Sequence, residues 1–184
     1  MEVKIWSKTA LVIYRFLENF TYALDRFVKK LSTIIDAGDT FARTGKIMSL
    51  TDDKIDLINL KIIIDDILLK LPKGRGKLII LRYMDKIPAL EIAELMGINI
   101  RTYFREINAA ENSFEKALNL KIAKNEPMFL RLLNQFWIRQ VYEEWQDKLK
   151  EGEGTLKIPI DSTADEITKM IMKNLKRSRK VCDI

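Results

Sequence analysis

Trp6, Ala10, Ile13, Leu17, Phe20, Leu24, Phe27, Leu31 and Ile34 follow one another in alternating steps of four and three. That spacing holds an apolar seam along one side of a helix for four heptads. It predicts a single helix from about Ile5 to Ile35, with Lys8, Arg15, Glu18, Asp25 and Lys29 off the seam. The seam has two uses, packing inside its own chain or forming a homodimer. A second helix is expected from Asp52 to Leu71, capped by Thr51, with Leu57, Leu60, Ile64, Ile67 and Leu71 repeating the spacing. It would pair with the first as a hairpin or with its own copy. Asp36 to Ser49, which holds Gly38 and Gly45, reads as a loop.

Only 7 Gly and 4 Pro interrupt 184 residues rich in good helix formers, so the expected fold is all-α. A further helix is predicted over Pro127 to Lys150, with Leu130, Leu133, Trp137, Val141 and Trp145 on its apolar side. Phe136 and Tyr142 add to its aromatic content. Gly152 and Gly154 mark a linker. Leu156, Ile158 and Ile160 then alternate as a short extended segment, which Pro159 keeps from being a central strand. A last helix starts near Ser162 or Thr163, where Thr163 and Glu166 fit a capping box. Ile167, Ile171 and Leu175 form its apolar face. On this pattern the chain divides into a long-helix hairpin or oligomerisation region (1–70), a helix-turn-helix domain (71–120), an aromatic-rich helix (121–151), and a linker with a basic C-terminal helix (152–184).

The helix-turn-helix is the informative stretch. Leu78 to Met84 suits a short helix beneath the motif. Ile92, Ala93 and Met96 give the first motif helix its inner face. Steeply crossing helices need a small residue at the contact and a residue tolerant of positive φ at the turn, which Ala93 and Gly97 supply. Ile98 would plug the core and Asn99 would cap the next helix. Tyr103 and Ile107 take that helix's inner side. Asn99, Arg101, Thr102, Phe104, Arg105 and Asn108 remain outside as candidate DNA-binding residues. The early residues of a second motif helix reach base edges, where Arg grips guanine and Asn grips adenine. Arg101 lies nearest the entering end and is the preferred base reader.

The text Leu71-Pro72, Leu78-Ile79-Ile80-Leu81-Arg82-Tyr83, Glu91-Ile92-Ala93-Glu94-Leu95-Met96-Gly97-Ile98 and Arg101-Thr102 resembles region 4 of the sigma-70 family of bacterial RNA polymerase sigma factors. The resemblance covers roughly 50 residues of the sequence. It implies a motif that recognises promoter-type duplex DNA and touches RNA polymerase. The 70 residues before Leu71 show no clamp-binding, promoter-melting region of the kind a working sigma factor also has. The expectation is therefore a sequence-specific DNA-binding transcriptional regulator, bacterial or phage. The alternatives are an RNA polymerase-binding or other helical interaction protein, and a phage DNA-packaging or replication-associated protein.

The remaining chemistry is sparse. There is no histidine, and Cys182 is the sole cysteine, so neither a zinc site nor an intrachain disulfide can form. Gly74-Arg75-Gly76-Lys77 lacks the Ser or Thr and the leading glycine of a phosphate loop, leaving its cations for DNA phosphates or solvent. Asp52-Asp53 and Asp65-Asp66 read as a helix start and a solvated face. No enzyme, cofactor or metal is expected. No signal peptide or apolar run long enough for a membrane span is read, so the expected place is the cytoplasm. The net charge of +6 leans toward a polyanionic partner. Lys176, Arg177, Arg179 and Lys180 extend the DNA-binding candidates into the last helix. Deleting residues 176–184 is expected to weaken binding alike on all duplexes and to flatten its salt dependence, because phosphate contacts release counterions. Titrations at several salt concentrations measure this, and an unchanged slope would place those cations in solvent.

Overall fold

The computed structural model describes residues 3–33, 40–72 and 74–151. The predicted extended segment at 156–160 and the basic C-terminal helix, with Lys176, Arg177, Arg179 and Lys180, lie outside the described residues. The fold is all-α, with no strand among the described residues. In chain order the helices are α1 (Val3–Ile13), α2 (Leu17–Thr33), α3 (Thr40–Lys70), α4 (Arg75–Ile79), α5 (Ala89–Leu95), α6 (Ile100–Lys124), α7 (Glu126–Leu132) and α8 (Phe136–Glu151). They belong to two compact units, one of residues 1–15 and 55–154 and the other of residues 16–54 and 155–184.

The expected single helix over residues 5–35 is interrupted. Tyr14–Phe16 tighten into a 3-10 turn, at the point where the chain leaves one unit for the other. The seam itself is buried on both sides of this turn. Trp6, Ala10, Ile13, Leu17, Phe20, Leu24 and Leu31 are buried, and Phe27 is half-buried. The expected loop at 36–49 is also corrected, since α3 already begins at Thr40 and Gly45 sits inside it. One interior glycine costs about 1 kcal/mol against alanine, too little to stop a helix of 31 residues. Thr51 consequently caps nothing. Its hydroxyl donates back to the Ile47 carbonyl at 2.9 Å. In the second unit, Lys54 of α3 forms an ion pair with Asp25 of α2 at 2.6 Å.

In the first unit α1 is enclosed on nearly all sides by α6, α8 and the segment after α4. Ile5, Trp6, Ala10, Leu11 and Ile13 are fully buried. Ser7 and Thr9 are buried too, and their hydroxyls donate to the carbonyls of Lys4 and Ile5, so neither hydroxyl is stranded. Trp6 meets Phe129 edge-on, with ring centroids 5.1 Å apart. The face of α3 bearing Leu57, Leu60, Ile64 and Ile67 is buried as the spacing predicts. Asp56, itself buried, accepts two hydrogen bonds of 2.7 Å from Arg131, which ties α3 to α7.

The predicted helix over 127–150 is two helices. At the break, the amides of Asn134 and Gln135 bond three residues back, and Arg139 Nε donates to the freed Leu133 carbonyl at 2.8 Å. Each half therefore has its own inner face. Met128, Phe129, Leu132, Ile138 and Trp145 are buried, whereas Leu130 and Phe136 are exposed. A single helical period drawn through both halves assigns Leu130 to the wrong side, and Phe136, expected as core or interface material, is not part of this core.

Gly76 fixes the approach of α4 to the end of α3. A Cβ there would stand 2.4 Å from the Leu68 carbonyl oxygen, a backbone atom that cannot swing away. G76A is expected to cost about 1–3 kcal/mol through overpacking. The midpoint of urea unfolding measures it, and an unchanged midpoint would mean that the two helices do not need this close approach.

Candidate nucleic-acid interface

The motif is built from the ends of short helices. Pro88 sits at the entry to α5, whose far end is closed by a left-handed glycine, Gly97, at φ 64°. The Ile98 amide reaches the Ala93 carbonyl and the Gly97 amide reaches the Glu94 carbonyl, both at 3.0 Å. This crossed pair is a Schellman closure, which satisfies carbonyls that the helix end leaves open. It accounts for Ala93 and Gly97 as a pair: Ala93 is buried at the crossing, and Gly97 takes a backbone conformation costly for other residues. Ile98 is half-buried behind the turn.

Asn99 then starts α6. Its Oδ1 accepts a hydrogen bond from the Thr102 amide at 2.7 Å, the cap expected from sequence. Tyr103 and Ile107 are buried, also as expected. Asn99, Arg101, Phe104, Arg105 and Asn108 are exposed, and Thr102 is half-buried. With about 100° of turn per residue, Arg101, Phe104, Arg105 and Asn108 occupy an arc of roughly 100° opposite Tyr103 and Ile107. One outward face thus holds two guanidinium groups, an amide and an aromatic ring. The Phe104 ring leans edge-on against buried Tyr103 at 5.2 Å, so it is half anchored. Arg105 remains 74% exposed in its side chain although Glu106 lies 3.5 Å from its Nε. Lys176, Arg177, Arg179 and Lys180 lie outside the described residues.

The cations of the Gly74–Lys77 run part company. Arg75 turns inward, donating to Ser113 Oγ at 3.2 Å and facing Glu106 at 3.8 Å, so it braces α4 against α6. Lys77 is exposed.

A cluster beneath the motif was not read from the sequence. Lys8 of α1 forms an ion pair with Glu111 of α6 and lies 3.2 Å from the hydroxyl of Tyr83, which donates to Glu111 at 2.5 Å. Tyr83 belongs to a π-helical turn, Ile80–Met84, that continues α4. Tyr83 and Glu111 lie 75 and 103 residues from Lys8 along the chain, and no local spacing could pair them. Their effect is to tie the helix beneath the motif and the second motif helix to the buried α1. Burial, and then the neighbouring Glu111 carboxylate, push the Tyr83 hydroxyl well above the ordinary tyrosine range. Burial pushes Tyr103 up as well.

No group of three or more Cys, Asp or Glu side chains stands together as a metal site among the described residues. No described helix is long and apolar enough to cross a membrane.

Residues 61–111 match the family model described as Sigma-70, region 4. The match runs from the second half of α3 through the motif and into α6, so the chain carries a sigma-70 region 4-like helix-turn-helix domain, all of it within the first unit. No curated protein and no solved structure matches the chain.

Both tyrosines are held protonated in the folded state, while unfolded tyrosine titrates near pH 10. Their contribution is therefore complete below about pH 10 and is lost as pH rises toward the raised folded values. Stability is expected to fall as pH rises above about 10, with Tyr83, the more strongly raised of the two, contributing the larger share. Urea midpoints across the alkaline range test this, and the double variant Y83F/Y103F should show a shallower fall. An equal fall in both proteins would assign the alkaline loss to other groups.

Proposed function

We propose that the chain is a sequence-specific DNA-binding transcriptional regulator that reads duplex DNA with the first turns of α6. The observation that carries this reading is the outward arc of Arg101, Phe104, Arg105 and Asn108, held by the Asn99 cap in front and by buried Tyr103 and Ile107 behind. Duplex DNA presents base edges in a major groove wide enough for one helix, and Arg and Asn are the side chains that match guanine and adenine there. The N-terminal end of α6 also favours a phosphate, through its unpaired amides and helix dipole. Arg101 is the base reader and Arg105 holds a phosphate that fixes register. The match to sigma-70 region 4 over the same residues supports the reading.

A second reading, docking on RNA polymerase or another protein, is favoured by the surface of α5. Leu90 and Leu95 are exposed there beside Glu91 and Glu94, also exposed. Two carboxylates repel phosphate, and two leucines gain by leaving water. The two readings are compatible, since α5 and α6 offer different faces.

Selection from random duplexes with the wild type, R101A and R105A tests the DNA-reading proposal. The wild type is expected to enrich one motif. R101A should lose preference at one base pair at a cost of about 1–3 kcal/mol, whereas R105A should weaken all sites about equally. Failure of the wild type to enrich any motif would overturn the DNA-reading proposal and leave the protein-docking one.

A further inference from the structure

Helix α5 exposes Glu91 and Glu94, and α8 exposes Glu143 and Asp147. Helix α6 differs from both. Among its described residues, no exposed position carries a carboxylate. Its three glutamates are drawn in. Glu106 faces Arg75 and Arg105, Glu111 is taken by Lys8 and Tyr83, and Glu115 is half-buried. The exposed side continues past Asn108 through Asn112, Lys116, Asn119, Leu120, Ala123 and Lys124. Every charge on it is positive. Residues 112–124 also lie beyond the match to region 4, which ends at 111.

With about 100° of turn per residue, Arg101, Arg105, Asn108, Asn112 and Lys116 share an arc of roughly 80°. At a rise of about 1.5 Å per residue, Asn112 stands about 16 Å along the axis from Arg101, and Lys116 about 22 Å. The major groove is about 12 Å wide and about 8.5 Å deep. A helix standing in it tip-first would leave Asn112 and Lys116 in solvent above the backbone, where a carboxylate costs nothing. A helix laid along the groove carries them to its rim, among the phosphates of a flanking strand, where a carboxylate is repelled.

We propose that α6 lies lengthwise along the groove, and that Asn112 and Lys116 hold phosphates of a flanking strand. These contacts fix register without reading bases. They presuppose that α6 faces duplex DNA, as proposed above, and are independent of which residue reads a base.

Equilibrium titrations of the full chain on duplexes of several sequences, each at several salt concentrations, test this with the wild type, N112A, K116Q, R101A and, as a control, K4Q. Lys4 is exposed on α1, away from the arc. K116Q should weaken binding on every sequence by roughly five- to tenfold near 0.1 M salt, and flatten the logarithmic salt slope by about 0.9, the share of one phosphate. N112A should weaken binding on every sequence with the slope unchanged, because a neutral amide displaces no counterion. K4Q should match the wild type. Wild-type affinity and slope in both N112A and K116Q, with R101A still relaxing base preference, would overturn the lengthwise docking and leave the base-reading tip. Equal losses in K4Q and K116Q would also overturn it, by assigning the effect to net charge. A wild type without base preference, weakened by N112A and K116Q but not by K4Q, would keep these contacts and remove the base reader. Absence of duplex binding in the wild type would overturn both.

Discussion

The burial of α1 is the constraint on which the first unit depends. The helix has almost no solvent face, so the side chains around it must be supplied by other parts of the chain. Trp6 takes Phe129 from α7, and Lys8 takes Glu111 from α6 and Tyr83 from beneath the motif. The helix-turn-helix is thus mounted on an N-terminal segment more than 70 residues away in sequence. A lysine among apolar neighbours would be costly alone, but the carboxylate and the phenol share its desolvation.

This mounting explains the inner half of α6. Glu111 and the buried series Tyr103, Ile107, Ala110 and Phe114 hold one side of the helix, and Arg75 reaches its flank at Ser113 and Glu106. The opposite side is left to solvent along the first turns. A rigid helix whose exposed end is cationic and whose buried side is fixed suits the reading of a groove, where side chains must be placed closely to discriminate bases.

Local rules were enough for the motif. The Ala93–Gly97 spacing, the Asn99 cap and the Tyr103–Ile107 pair are all short-range signals, and each appears where its chemistry demands. The buried face of α3 and the seam through α1 and α2 were legible for the same reason, because helical period decides which side is apolar. Other features depend on distant partners. Gly45 reads as a breaker in sequence yet lies within α3, and the break at 133–135 has no Gly or Pro to announce it. The Lys8–Tyr83–Glu111 cluster joins three segments that no window spans. The inward turn of Arg75 depends on Ser113 and Glu106, so the basic run looked more available to phosphate than it is.

The central claim is that the exposed first turns of α6 meet duplex DNA. Amide chemical shifts of the full chain, recorded with and without a selected duplex, test it most directly. The account predicts that the largest changes fall between Asn99 and Asn108, with α1 and α8 little affected. Changes confined to α5 around Leu90 and Leu95, or spread evenly over surface lysines, would contradict it.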